Sequence, residues 1–303
     1  MSSPAMAGIF APVVTPFDGT LRPDPEPFIE HCRWLVRQDC GLAIFGTNSE
    51  GNSLSVEERE ALIDQAVDAG IPAARMMPGT GACAIPDAVR LSRHAVRAGC
   101  GGVLMLPPFY YKGVSDDGLY RFFAEVIQRV GDSAFRLYLY HIPPVSAVPV
   151  SLALIERLLR DYPGVVAGIK DSSGDMANAS AMLKAFPGFS VFAGSELTLL
   201  QTMREGGAGC ITATGNIHVS AIRDLYENWR APDAADRQEK LNAFRKVMQR
   251  YPMIPALKRI IADYTGRESW AAVRPPLIAL DEAQARALRR DIAEVGFSMA
   301  GGG

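Results

Sequence analysis

The chain predicts an α/β protein, a (β/α)8 TIM barrel followed by a C-terminal helical extension. Three observations carry that reading. Short apolar runs alternate with longer amphipathic stretches, eight such pairs fit into roughly the first 230 of the 303 residues, and the remainder carries helix patterns alone. The expected division is a barrel over 1–230, holding the active site, and a helical region over 231–303.

The strand candidates are, in order, GIFAPVVTP from Gly8, LAIFG from Leu42, AARMMPGTG from Ala73, GGVLMLPP from Gly101, FRLYLYHI from Phe135, VVAGIK from Val165, FSVFAG from Phe189 and GCITATG from Gly209. Most are near-continuous apolar runs, as parallel strands covered on both faces require. The helices between them have recognisable starts and stops. Ser55 with Glu58 forms a capping box, Ala61, Leu62, Ala66 and Val67 share one face, and Gly70 ends that helix. Pro86 sits in the first turn of the next helix and Gly99 closes it. Ser115 opens GLYRFFAEVI, and Ser151 opens a helix with Leu154, Ile155 and Leu158 at helical spacing. In the tail, RQEKLNAFRKVMQRY, IPALKRIIADY and a helix capped by Asp281 with Gln284 follow one another.

Bulk composition narrows the function. With 48% apolar residues, 21% charged and a net charge of −2, the chain has ample core material. It shows no basic run that would mark a nucleic-acid partner. MSSPAMAGIF lacks the features of a secretory leader, and no apolar stretch approaches the roughly 18 residues of a membrane span. A cytoplasmic location is the expectation. Five scattered cysteines (32, 40, 83, 100, 210) with no C-x-x-C pair fit neither a disulfide framework nor a zinc site and read as small buried hydrophobes. The histidines at 31, 94, 141 and 218 show no metal-ligand spacing, and no phosphate-binding P-loop occurs. No metal or cofactor is expected.

One lysine stands out. Only six of the 31 Lys plus Arg residues are lysines (112, 170, 184, 240, 246, 258), and Lys170 ends the apolar run VVAGI. An ammonium there sits where ionisation is costly. Arginine would supply charge alone. Lysine can lose its proton and attack a carbonyl carbon to form an imine. The competing reading is a lysine that reaches out of the strand end and pairs with Asp171.

Chemistry in a barrel gathers at the C-terminal ends of the strands, and other polar groups are aimed there. Thr47, Asn48 and Ser49 follow the second candidate strand, Tyr110 and Tyr111 follow the fourth, and Tyr140 ends the fifth. Tyr140 is placed to relay protons for Lys170, the alternative being a core tyrosine with a satisfied hydroxyl. Thr47 and the backbone N–H groups of Gly46 to Ser49 suit a carboxylate. His141, next to Tyr140, points to the opposite side of its strand.

Taken together, GTNSE, PPFYY, YHIP, GIKDSSGD and GGAGCITATGN, in that order and at those spacings, resemble the dihydrodipicolinate synthase and N-acetylneuraminate lyase family over nearly the whole chain. Members are pyruvate-handling class I aldolases on a (β/α)8 barrel. The resemblance implies that Lys170 forms the imine with a 2-oxo acid such as pyruvate, with an aldehyde as the other reactant, and that Tyr140 is the proton shuttle. It further implies that Thr47 and Asn48 take the substrate carboxylate and relay protons, and that Ile211 offers a main-chain contact near the imine. Tyr111, or Tyr110 one residue earlier, matches the tyrosine that a neighbouring subunit inserts, and the assembly implied is a homotetramer, a dimer of dimers.

The departures bear on substrate. Where the lysine-biosynthesis synthases carry TTG, this chain has TNS, so Asn48 replaces a hydroxyl and Ser49 a glycine. Where they have an arginine soon after YNVP, YHIPPVSA offers Val145, so the bidentate clamp for a second carboxylate is missing there. The GTN and GIKDSSGD segments look more like the 4-hydroxy-2-oxoglutarate and 2-keto-3-deoxy sugar acid aldolases. In AGSE, Gly194 precedes Glu196, which matches an acidic residue that sialic acid lyases use on the sugar. The expected activity is an imine-forming lyase that makes or cleaves a carbon–carbon bond. The rivals are 4-hydroxy-tetrahydrodipicolinate synthase, a dehydratase using the same imine, and a non-catalytic 2-oxo acid sensor.

Overall fold

In the computed structural model, residues 5–299 are described. Seven strands form one parallel sheet: β1 (Gly8–Ala11), β2 (Gly41–Leu42), β3 (Val103–Met105), β4 (Leu137–His141), β5 (Val166–Asp171), β6 (Ser190–Ala193) and β7 (Gly209–Ile211), in the order β2-β1-β7-β6-β5-β4-β3. Twelve helices accompany them among the described residues: α1 (Pro25–Arg37), α2 (Val56–Asp68), α3 (Ile85–Arg97), α4 (Asp116–Val130), α5 (Pro143–Ser146), α6 (Leu152–Asp161), α7 (Met176–Ala185), α8 (Leu199–Arg204), α9 (Gly215–Glu227), α10 (Ala234–Met248), α11 (Met253–Thr265) and α12 (Glu282–Glu294).

The caps sit where the side chains dictate. Ser55 and Asp281 each form a capping box with Glu58 and Gln284, and Ser115 and Ser151 accept from the third backbone N–H of α4 and α6. These satisfy N–H groups that a helix cannot bond internally.

The third strand candidate departs from expectation. Pro72 caps a 3₁₀ turn over Ala73–Arg75, and only isolated parallel bridges follow, Met76 with Leu42 and Gly79 with Leu104. The cause is local: Pro78 has no N–H to give a ladder. The segment still hooks both sheet edges. Met77 N–H donates to Leu42 O (2.8 Å), Gly79 N–H to Ile44 O (2.7 Å), Thr80 N–H to Leu104 O (3.0 Å) and Leu104 N–H to Pro78 O (2.9 Å). A Cβ on Gly79 would lie 2.3 Å from the Phe45 carbonyl oxygen, so only glycine permits this approach.

Alternation along the strands separates an inner face from an outer one. Phe10, Ala43, Met77, Leu104, Tyr138, Tyr140, Phe192 and Ile211 form one cluster, whereas their strand neighbours Ile9, Leu137, Leu139, Ile169, Val191 and Cys210 pack outward in two larger clusters with the helices. The sheet is therefore curled around the inner set. Tail residues Phe244, Met248, Leu257, Ile260, Ile261 and Trp270 share a further cluster with Val14, Ala213 and Ile217, which follow β1 and β7. The tail thus packs over the C-terminal end of the sheet. Cys32, Cys40 and Cys210 are buried as expected, but Cys83, just after the Gly79 bridge, is exposed.

Candidate active site

Lys170 and Tyr140 are register partners on the adjacent strands β5 and β4. Both side chains face inward by the alternation just described, and each residue is only 2% exposed. Lys170 Nζ donates to Tyr140 Oη at 3.3 Å, and Tyr140 Oη lies 3.2 Å from Thr47 Oγ1, either of which can donate. The result is an amine–phenol–hydroxyl chain. Asp171 does not pair with Lys170. Its carboxylate accepts from Ser173 N–H (2.9 Å) and Asn178 Nδ2 (3.0 Å), and Lys170 has no ion pair among the described residues.

Thr47 and Asn48 open a 3₁₀ turn over Thr47–Ser49, whose first N–H groups have no partner within the turn. Glu50 follows in the left-handed region (φ 55°), and its carboxylate pins the turn from behind. Lys258 of α11 donates to Glu50 Oε1 at 2.7 Å, and Arg274 N–H donates to Oε2 at 2.9 Å. Lys258 and Glu50 are both fully buried, and burial pulls the Lys258 amine down to about 8 against the opposing pull of Glu50.

The amine–phenol–hydroxyl chain lines a cavity of about 480 Å³ at the C-terminal end of the sheet, within the range of small-molecule sites. Thr47, Asn48, Tyr140, Lys170 and Gly194 all face it. Gly194 is a close-approach glycine: its N–H donates to Asp171 O (2.7 Å), and a Cβ there would meet Ser172 Oγ at 2.1 Å. Val145 stands at the rim, 65% exposed.

Five residues singled out from the sequence lie elsewhere. Ser49 is fully buried, with its carbonyl accepting from Thr15 Oγ1 at 2.7 Å and its own Oγ without a partner among the described residues. Ile211 packs behind the site, in one cluster with Tyr140 and Phe192. Glu196 is 1% exposed and does not line the cavity; Thr212 Oγ1 and Thr214 Oγ1 donate to it, the latter at 2.5 Å, and Arg245 Nη1 stands 3.4 Å from its Oε2. Tyr111 is 71% exposed, edge-on to Tyr110, and neither tyrosine lines the cavity.

Sequence reasoning missed the wall contributed by the tail. Arg245 and Gln249 of α10 and its end, together with Met253 of α11, face the cavity. The spacing of Arg245 and Gln249 puts them on one helical face, but nothing local says which face meets the barrel. His141, on the outer side of β4, accepts from Val150 N–H at 2.9 Å through Nδ1, and burial lowers its pKa despite nearby Asp171.

The family model for the dihydrodipicolinate synthetase family matches residues 5–295. The chain belongs to that family. A DapA-like lyase of Chloroflexus aurantiacus is 31% identical over 285 residues, covering 93% of this chain and 94% of the relative. The crystal structure of dihydrodipicolinate synthase from Agrobacterium tumefaciens superposes with a TM-score of 0.88 at 32% identity, covering 95% of this chain and 99% of that one. Escherichia coli YagE, a family member crystallised in complex with pyruvate, gives a TM-score of 0.86 at 28% identity, covering 96% and 98%. As a dihydrodipicolinate synthetase family member, the protein is a lyase of the Schiff-base-forming, class I pyruvate-dependent aldolase type.

Proposed function

We propose that Lys170 forms an imine with pyruvate or a related 2-oxo acid, and that the enzyme makes or breaks the C3–C4 bond of a 4-hydroxy-2-oxo acid with an aldehyde as the other reactant. In cleavage, the Lys170 amine adds to the C2 ketone and water leaves. Tyr140 takes the proton of the C4 hydroxyl while its own passes towards Thr47, the C3–C4 electron pair moves into the imine, and the aldehyde departs. Protonation of the enamine at C3 and hydrolysis release pyruvate and restore the lysine. The observation that carries this reading is the unbroken chain from Lys170 Nζ through Tyr140 Oη to Thr47 Oγ1 at the cavity. The pyruvate complex of YagE supports the choice of 2-oxo acid. Val145, where the synthases have an arginine, supports an aldolase over a synthase.

Borohydride added with pyruvate should leave a reduced pyruvyl adduct on Lys170, read by peptide mass. Lys170→Arg should abolish it while keeping the charge. An adduct at another residue, or none, rules the mechanism out.

Two structural expectations belong to the same proposal. The hooks from Met77, Gly79 and Thr80 to both sheet edges support closure of the sheet as a (β/α)8 barrel over 1–230, with 76–80 in the third strand position and 231–303 as a helical region packed on it. The exposed Tyr110–Tyr111 pair supports a homotetramer in which Tyr111 enters a neighbouring site. Mixing Lys170→Ala with Tyr111→Phe subunits under exchanging conditions should then restore activity, since a mixed dimer holds one site with both native residues. Demonstrated exchange without recovery would place the tyrosine's action within its own chain.

A further inference from the structure

Lys112 has no acidic partner among the described residues, yet its amine is engaged. It turns back from the loop between β3 and α4 and donates to Phe109 O in that loop and, at 2.9 Å, to Ser146 O, the last carbonyl of α5. A lysine ammonium carries three donors and no acceptor, so one amine can serve both carbonyls. The side chain thus ties together the loops that follow two neighbouring strands, β3 and β4.

The segment it reaches has little else to hold it. α5 is a single turn, Pro143–Ser146, too short to be stable by its own bonds. Val145 N–H and Ser146 N–H donate to Ile142 O (3.0 and 2.9 Å), and Ala147 N–H donates to Pro143 O (2.9 Å). Ser146 Oγ donates to Ile142 O at 3.1 Å and accepts from Val148 N–H at 3.2 Å. All of these close within 142–148, and Pro143 and Pro144 bring no N–H to fasten the turn elsewhere. Among the described residues, the Lys112 amine is the one donor from outside 142–148 that bonds to this segment. Ile142, Pro144 and Val145 line the cavity, whereas Lys112 does not. The lysine therefore fixes a wall and touches no reacting atom.

We infer that Lys112 is a positioning residue: by holding α5 it sets the apolar wall of Ile142, Pro144 and Val145 against the carbons of the bound 2-oxo acid beyond C3. The inference rests on the lysine imine and deepens it by assigning the residue that governs how the rest of the acid is held. Pyruvate ends at C3 and has nothing to set against that wall. A longer acid does.

The test titrates borohydride trapping with pyruvate and with 2-oxopentanoate, which keeps the ketone and the carboxylate and adds two carbons. Each buried methylene is worth about fourfold in affinity, so Lys112→Met should raise half-saturation for 2-oxopentanoate about 3- to 10-fold and leave that for pyruvate unchanged. Lys112→Arg, whose guanidinium also offers several donors, should restore most of the loss. Val145→Ala should weaken 2-oxopentanoate in the same way, and adding Lys112→Met to it should cost less than the product of the two effects, because both act on one wall. A Lys112→Met protein that leaves both acids unchanged, or weakens both alike, shows that the amine only fastens its own loop, and the inference falls. It falls too if the two variants multiply in full, or if the wild type traps pyruvate but never 2-oxopentanoate. Failure of pyruvate itself to trap removes the imine and this inference with it.

Discussion

Lys170 and Lys258 are both buried lysines at the C-terminal end of one sheet, and they differ in what their amines meet. Lys258 lies in a sealed junction where Glu50 accepts from it at 2.7 Å and the Phe17 ring stands 4.3 Å away. Lys170 lies at a cavity, with a phenol at 3.3 Å and no ion pair among the described residues. A buried ammonium with a carboxylate partner is a fixed cross-link, because removing either charge strands the other. A buried amine that meets only hydroxyls and open space remains available to a carbonyl carbon. The lesson is that burial alone does not separate a structural lysine from a nucleophilic one; the partner does.

The comparison breaks most visibly at the phenol. Tyr140→Phe deletes one hydroxyl from the relay, so turnover should fall about 10²- to 10⁴-fold if that group moves protons. The folded structure should persist, because the ring keeps its place in the inner cluster. Steady-state kinetics beside a thermal unfolding curve checks both halves, and near-normal turnover would exclude Tyr140 from the proton path.

The opposite outcome is expected at the sealed junction. Lys258→Met leaves the Glu50 carboxylate buried and uncompensated and should cost about 3–5 kcal/mol of stability, measured by urea unfolding. The folded fraction should still form the pyruvate adduct at Lys170. Adding Glu50→Gln, which keeps an acceptor for Arg274 N–H, should recover much of the loss. A Lys258→Met protein of unchanged stability that no longer traps pyruvate would invert the distinction between the two lysines.

What the sequence discloses follows from how far each constraint reaches. Period-two alternation is local, and it puts Tyr140 and Lys170 on the inner face and His141 on the outer one. Caps are local too, and Ser55, Ser115, Ser151 and Asp281 sit where their side chains predict. Apolar content predicts a third strand from Ala73, but Pro78, whose missing N–H interrupts the ladder, leaves only isolated bridges there. Glu196 follows β6 as expected, but its surroundings come from Thr212, Thr214 and Arg245, none of which is near it in sequence. Arg245 itself was illegible. A helix shows its apolar face in its sequence, and only the packed tail decides which polar residues look into the barrel.

The anchor behind the Thr47 turn has a bearing on biosynthesis. Glu50 is separated from Lys258 by 208 positions along the chain, so the carboxylate leaves the ribosome long before its counter-ion exists. Closing so long a loop carries an entropic cost that no neighbouring contact offsets early. For most of translation the nascent chain can hold Tyr140 and Lys170 on adjacent strands while the turn presenting Thr47 lacks its lock. Completion of the Thr47 turn is therefore tied to the synthesis of α11: a chain interrupted before that helix lacks the counter-ion that Glu50 meets in the finished fold.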